Sequence, residues 1–134
     1  MTSPLEQGMA FHQQQQATKT ILVVEDEPDI GAVLTEALLQ ETSYHVVLVD
    51  TPSHALQVVK NITPHLLILN YNLPQMNGLD LCDRLHHANG LEQVPTILLS
   101  ARLPHQQLAQ RHILGMSKPF DLDELLETVD KLLA

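Results

Sequence analysis

From Thr20 onward, short apolar runs alternate with longer stretches whose apolar residues recur every three or four positions. The run Ile21-Leu22-Val23-Val24 suits a strand buried on both faces. Pro28 opens a helix, where its fixed φ and missing N–H are tolerated. Ile30, Val33, Leu34, Ala37 and Leu38 form that helix's apolar face. Residues 45–49 predict a second strand. A helix follows from about Pro52, with Ala55, Leu56, Val58 and Val59 inward. Residues 66–69 predict a third buried strand, and a helix from about Leu79 turns Leu81, Cys82 and Leu85 inward. Residues 96–99 predict a fourth strand, 104–111 a short polar helix and 113–117 a weaker fifth strand. In the last helix Leu122, Leu125, Leu126, Val129, Leu132 and Leu133 recur at helical steps. Asp121, with Glu124 three residues on, reads as its capping-box start.

Five strand-then-helix units with buried strands imply a parallel sheet covered on both faces. Such sheets bind ligands beyond the C-terminal ends of their strands. Residues 1–18, with four consecutive glutamines at 13–16 and little apolar periodicity, read as a polar N-terminal tail. Residues 19–134 form the domain.

Composition narrows the function. A chain of 134 residues fits one domain. Its aromatics amount to 3% with no Trp, so the core must be aliphatic. Seven basic against 16 acidic residues give −9, which repels a phosphate backbone and argues against nucleic-acid binding. A cation or a basic protein surface is the better match. Cys82 is the sole cysteine, so no intrachain disulfide forms. No apolar run approaches the ~20 residues of a membrane span. No basic-then-apolar leader is evident. The expectation is a cytoplasmic domain that does not enter membranes.

The chemistry sits at the predicted strand ends. The first ends in Glu25-Asp26-Glu27, the third in Asn70-Tyr71-Asn72, the fourth in Ser100-Ala101 and the fifth in Lys118-Pro119-Phe120. Singly, each has a plain structural reading: acids before a helix favour its dipole, and Ser-Ala makes a turn. Together they supply oxygen ligands for a hard cation such as Mg2+, and an ammonium and a hydroxyl for a phosphoryl group.

ILVVEDEP at 21–28, LLILNYNLPQMNGL at 66–79, ILLSA at 97–101 and KPF at 118–120 resemble the receiver domain of bacterial two-component response regulators. The resemblance runs from about residue 19 to the C-terminus. It implies a flavodoxin-like (βα)5 doubly wound sandwich, with a five-stranded parallel sheet of order 2-1-3-4-5. It implies that Asp26 ligates Mg2+, with Glu25 acting through water and the Asn72 carbonyl as a further ligand. Ser100 and Ala101 would meet the phosphoryl group. Lys118, before a proline whose peptide bond is usually cis in the family, would contact both acceptor and phosphate.

Three departures qualify this picture. The phosphoacceptor position, also a metal-ligand position, is Asn70. A neutral amide is a poor nucleophile and weakens Mg2+ binding, though it can donate a hydrogen bond to Glu25 or Asp26. The aromatic switch position, three residues before Lys118, is Gly115. The stretch from Ser100 to Lys118 is a few residues short. The implied function is a stand-alone, non-enzymatic pseudo-receiver in phosphorelay signalling. It would not be phosphorylatable as it stands. It would bind a sensor kinase or downstream effector, by the face of the fourth helix, fifth strand and fifth helix, or form a homodimer. The alternative is an ordinary phospho-accepting receiver whose acceptor aspartate has been replaced at position 70. The histidines read as solvated, Cys82 as buried and inert, and Asp50 as lying away from the pocket.

Overall fold

A computed structural model describes residues 19–88 and 90–134; the polar tail at 1–18 lies outside the described residues. The elements alternate as expected. They are β1 (Thr20–Val24), α1 (Pro28–Glu41), β2 (His45–Val49), α2 (Pro52–Val58), β3 (Leu66–Asn70), α3 (Gly78–His86), β4 (Thr96–Ser100), α4 (His105–Arg111), β5 (Leu114–Ser117) and α5 (Leu122–Leu133). The strands form one sheet in the order β2-β1-β3-β4-β5, and every pairing is parallel. This is the doubly wound, flavodoxin-like arrangement.

Strand side chains alternate between two faces, so each apolar run feeds two cores. Leu22, Val24, Leu67, Leu69 and Leu98 pack with Ala55, Leu81, Cys82 and Leu85 of α2 and α3. Ile21, Val23, Leu66, Ile68, Ile97 and Leu99 pack with Leu34 and Leu38 of α1 and Leu125, Val129 and Leu133 of α5. Burial on both faces explains why these strands read as continuous apolar runs. Each fully buried Leu or Ile contributes roughly 1.5–3 kcal/mol.

The helix starts follow from local chemistry. Asp121 Oδ1 accepts from the Asp123 and Glu124 N–H groups, which is the N-cap half of the expected capping box. Thr51 and Asn77 cap α2 and α3 in the same way. The N-cap of α1, Glu27, makes no side-chain cap bond, and proline opens that helix instead.

One inward assignment is corrected: Val33 is 49% exposed. The buried line of α1 is Gly31, Leu34 and Leu38, and Val33 falls about 100° around the helix from Leu34. It lines an open apolar recess of about 570 Å3 with Ile30, Phe120 and Leu122.

Candidate functional site

The C-terminal ends of β1 and β3, with the segment after β5, bring five of the expected residues together. Glu25 directly follows β1, and its N–H donates to the Val49 carbonyl at 3.0 Å, continuing the sheet. Its side chain is 1% exposed. Asn70 closes β3 and is 3% exposed. Lys118 follows β5, held by its own N–H to the Ser100 carbonyl at 2.9 Å. The Lys118–Pro119 peptide is cis.

The Asn70 amide organises the pocket. Its Nδ2 donates toward Glu25 Oε2 at 3.1 Å, Asp26 Oδ1 at 3.2 Å and the Asn72 carbonyl at 2.9 Å. Three acceptors around one atom fix the amide's orientation, because the side-chain oxygen would find no donor there. Glu25 has two further donors: Lys118 Nζ donates to Oε1 at 3.2 Å, and the Glu27 N–H donates to Oε2, the oxygen the amide also meets, at 3.1 Å. Burial pushes the Glu25 carboxyl above its ordinary value, and the Glu27 N–H and Lys118 only partly offset that.

Other expectations meet different outcomes. Lys118 forms no hydrogen bond to Asn70 among the described residues; a neutral amide offers its ammonium no charge, and buried Glu25 does. Ser100 is buried, but its hydroxyl serves its own turn, donating to the Arg102 carbonyl at 2.8 Å and accepting the Arg102 N–H at 3.2 Å. Ala101 is exposed beside it. In the direction a side chain would take, Gly115 is crowded: a Cβ there would lie 2.6 Å from a Leu108 methyl and 2.9 Å from a Leu103 methyl. Those two leucines fill the ground beside β5. Asp50 is exposed and lines, with Glu25 and Asp26, a neighbouring recess of about 400 Å3 that includes neither Asn70 nor Lys118. The reason is that β2 pairs directly with β1.

Further positions take roles that the sequence reading did not assign them. Gly78 begins α3 against the Asn70 carbonyl, with its N–H donating to Tyr71 O at 2.8 Å. His86, read as solvated, is half-buried, with Nε2 3.0 Å from the Val94 carbonyl and 3.1 Å from Thr96 Oγ1. Its spacing of four from Cys82 was the available signal, since that interval shares a helix face. Arg111 grips Asp83 with two bonds, at 2.9 and 3.1 Å, and ties α4 to α3.

A family model, "Response regulator receiver domain", matches residues 21–130, and the chain belongs to that family. It is 32% identical over 117 residues to the DNA-binding response regulator MtrA of Mycolicibacterium smegmatis, covering 81% of this chain and 48% of that protein. It is 33% identical over 96 residues to the two-component response regulator ORR3 of Oryza sativa subsp. japonica, covering 63% of this chain and 70% of that protein. The non-phosphorylated HemR receiver domain from Leptospira biflexa superposes with a TM-score of 0.78 at 27% identity, over 87% of this chain and 94% of that one. The chain spans about half the length, or less, of the first curated relatives it matches. Receiver domains act in two-component signalling with sensor kinases and effectors, and typically bind Mg2+ at the acidic pocket.

The residues present do not fit such an ion as they stand. Among the described residues no group of three or more His, Cys, Asp or Glu side chains is placed to hold a metal. Position 70 presents N–H groups, which have no lone pair to give a cation. No helix among the described residues is long and apolar enough to cross a membrane.

Proposed function

We propose that this receiver domain signals through protein contacts, without forming an acyl phosphate at position 70. The observation that carries this reading is the Asn70 amide, whose nitrogen is committed to Glu25, Asp26 and the Asn72 carbonyl. Phosphotransfer to a receiver needs a carboxylate oxygen as nucleophile. Asn70 has none, and no enzymatic turnover is assigned to the pocket. The readout is altered as well. The Ser100 hydroxyl is engaged within its own turn, and Leu103 and Leu108 occupy the space beside Gly115. A replacement confined to position 70 leaves the second feature unexplained, which favours divergence of the whole site over loss of one acceptor.

In this reading Glu25, Asp26, Asn70 and Asn72 are what remains of a metal site, with Mg2+ affinity reduced. Ser100, Ala101 and Lys118 are what remains of the phosphoryl contacts. The partner is a sensor kinase or downstream effector in the cytoplasm, with a basic surface to match a chain of charge −9. The edge strand β5, with Leu114 46% exposed between α4 and α5, supports that face as the contact.

Intact mass after treatment with a small-molecule phosphodonor and Mg2+ tests the reading, run beside Asn70→Asp. The chain itself gains no phosphoryl group, and Asn70→Asp gains one. A phosphoryl group on the unsubstituted chain overturns it.

A further inference from the structure

We propose that the Asn70 amide permanently does the work of a divalent cation, holding the acidic pocket assembled whether or not metal is supplied. This rests on the reading of the domain as a non-phosphorylated receiver and names how its site is held.

The argument begins with the three oxygens. Glu25 Oε2 and Asp26 Oδ1 come from the segment after β1, and the Asn72 carbonyl from the segment after β3. All three carry negative charge or a negative dipole end, so they repel one another unless something positive lies among them. Asp26 and Asn72 are exposed residues that water can also serve, but Glu25 and Asn70 are each 3% exposed, so at Glu25 the donor has to come from the protein. Two other donors serve Glu25 alone, Lys118 Nζ at Oε1 and the Glu27 N–H at Oε2, and neither reaches Asp26 or the Asn72 carbonyl. The amide hydrogens supply the missing positive charge. Nδ2 stands 2.9–3.2 Å from all three oxygens and joins the two segments.

A cation competes with this arrangement. Mg2+ demands near-octahedral oxygen ligands at about 2.0–2.1 Å. To offer an oxygen, the Asn70 amide must rotate by half a turn and give up its contacts with the three acceptors. In return the ion gains a neutral oxygen where an aspartate would give an anionic one. Two carboxylates and one ammonium leave the pocket at a formal −1, against −2 with aspartate at position 70. Attraction for the ion falls and the cost of admitting it rises, so amide and cation exclude each other.

The test is thermal unfolding of the chain, Asn70→Asp and Asn70→Ala, each in chelator and in about 10 mM Mg2+. The chain is expected to melt within about 1 °C in the two buffers, since a ligand that does not bind shifts nothing. Asn70→Asp, with a third carboxylate among the oxygens, melts lower in chelator and rises several degrees with Mg2+. Asn70→Ala deletes the amide without adding charge; it melts lower in chelator and recovers part of the loss with Mg2+. The Asn70 side-chain N–H resonances of the unsubstituted chain, followed by NMR through the titration, stay in place. A saturable shift of those resonances, or a melting temperature of the unsubstituted chain raised by Mg2+ as far as that of Asn70→Asp, overturns the inference even if a variant fails to fold. Metal binding without phosphoryl gain defeats this inference and leaves the receiver reading standing. Phosphoryl gain on the unsubstituted chain defeats that reading itself.

Discussion

Replacing Gly78 with alanine strikes the pocket from beneath. Gly78 is the first residue of α3, and its backbone lies against the end of β3. A Cβ added there would stand 2.4 Å from the Asn70 carbonyl oxygen, 3.1 Å from its carbon and 2.8 Å from a methyl of Leu98. Leu98 is fully buried and the carbonyl is sheet backbone, so neither can step aside freely. Overpacking of this kind costs about 1–3 kcal/mol. Alanine's better helix propensity offsets at most about 1 kcal/mol of that. The net loss is therefore about 1–2 kcal/mol, a fall of roughly 3–10 °C in melting temperature for a domain of this size. Thermal unfolding by circular dichroism measures it. Gly31→Ala is the built-in contrast. Its Cβ would meet the Leu48 methyls at 3.1 and 3.3 Å, and Leu48 is 39% exposed and free to swing outward. That variant should match or exceed the parent's stability, by up to about 1 kcal/mol. A Gly78→Ala protein melting at or above the parent temperature would refute the reasoning, as would equal damage from both substitutions.

Two further outcomes follow from buried titratable groups. Glu25 has its folded-state value raised above the ordinary 4.5 by burial, so its contribution to folding is fully present below 4.5 and is lost as pH rises through the raised value. The stability of the parent relative to Glu25→Gln should therefore decline with rising pH in denaturant titrations; a flat or rising difference would contradict the desolvation argument. Burial pushes the Cys82 thiol up to about 11, which leaves roughly one thiolate per thousand molecules at pH 8. Iodoacetamide should label it only as the chain unfolds, and rapid labelling of the native protein would show the side chain to be accessible.

The order of elements, the two-sided burial of the strands and the Asp121 cap were all readable along the chain. Each depends on interactions within a few residues: alternation along a strand, recurrence around a helix, a side chain reaching the next turn's N–H groups. The motif segments at 21–28, 66–79, 97–101 and 118–120 likewise marked which strand ends would carry polar groups, and Asn70 announced from its side chain alone that no carboxylate stands at the acceptor position. How those groups meet was not readable. Periodicity left Val33 on the inward face of α1, yet in the fold it is 49% exposed, on an open recess that Phe120 and Leu122 also line. His86 read as one more surface histidine until β4 brought Thr96 beneath it. Ser100 was present as expected, but whether its hydroxyl faces the pocket or its own turn depends on the path of residues 101 and 102. Only the folded sheet brings Glu25, Asp26 and Asn72 around a single amide nitrogen. Contacts across 44 or 45 residues of chain are set by strand order and register, and no local pattern encodes the distance between them.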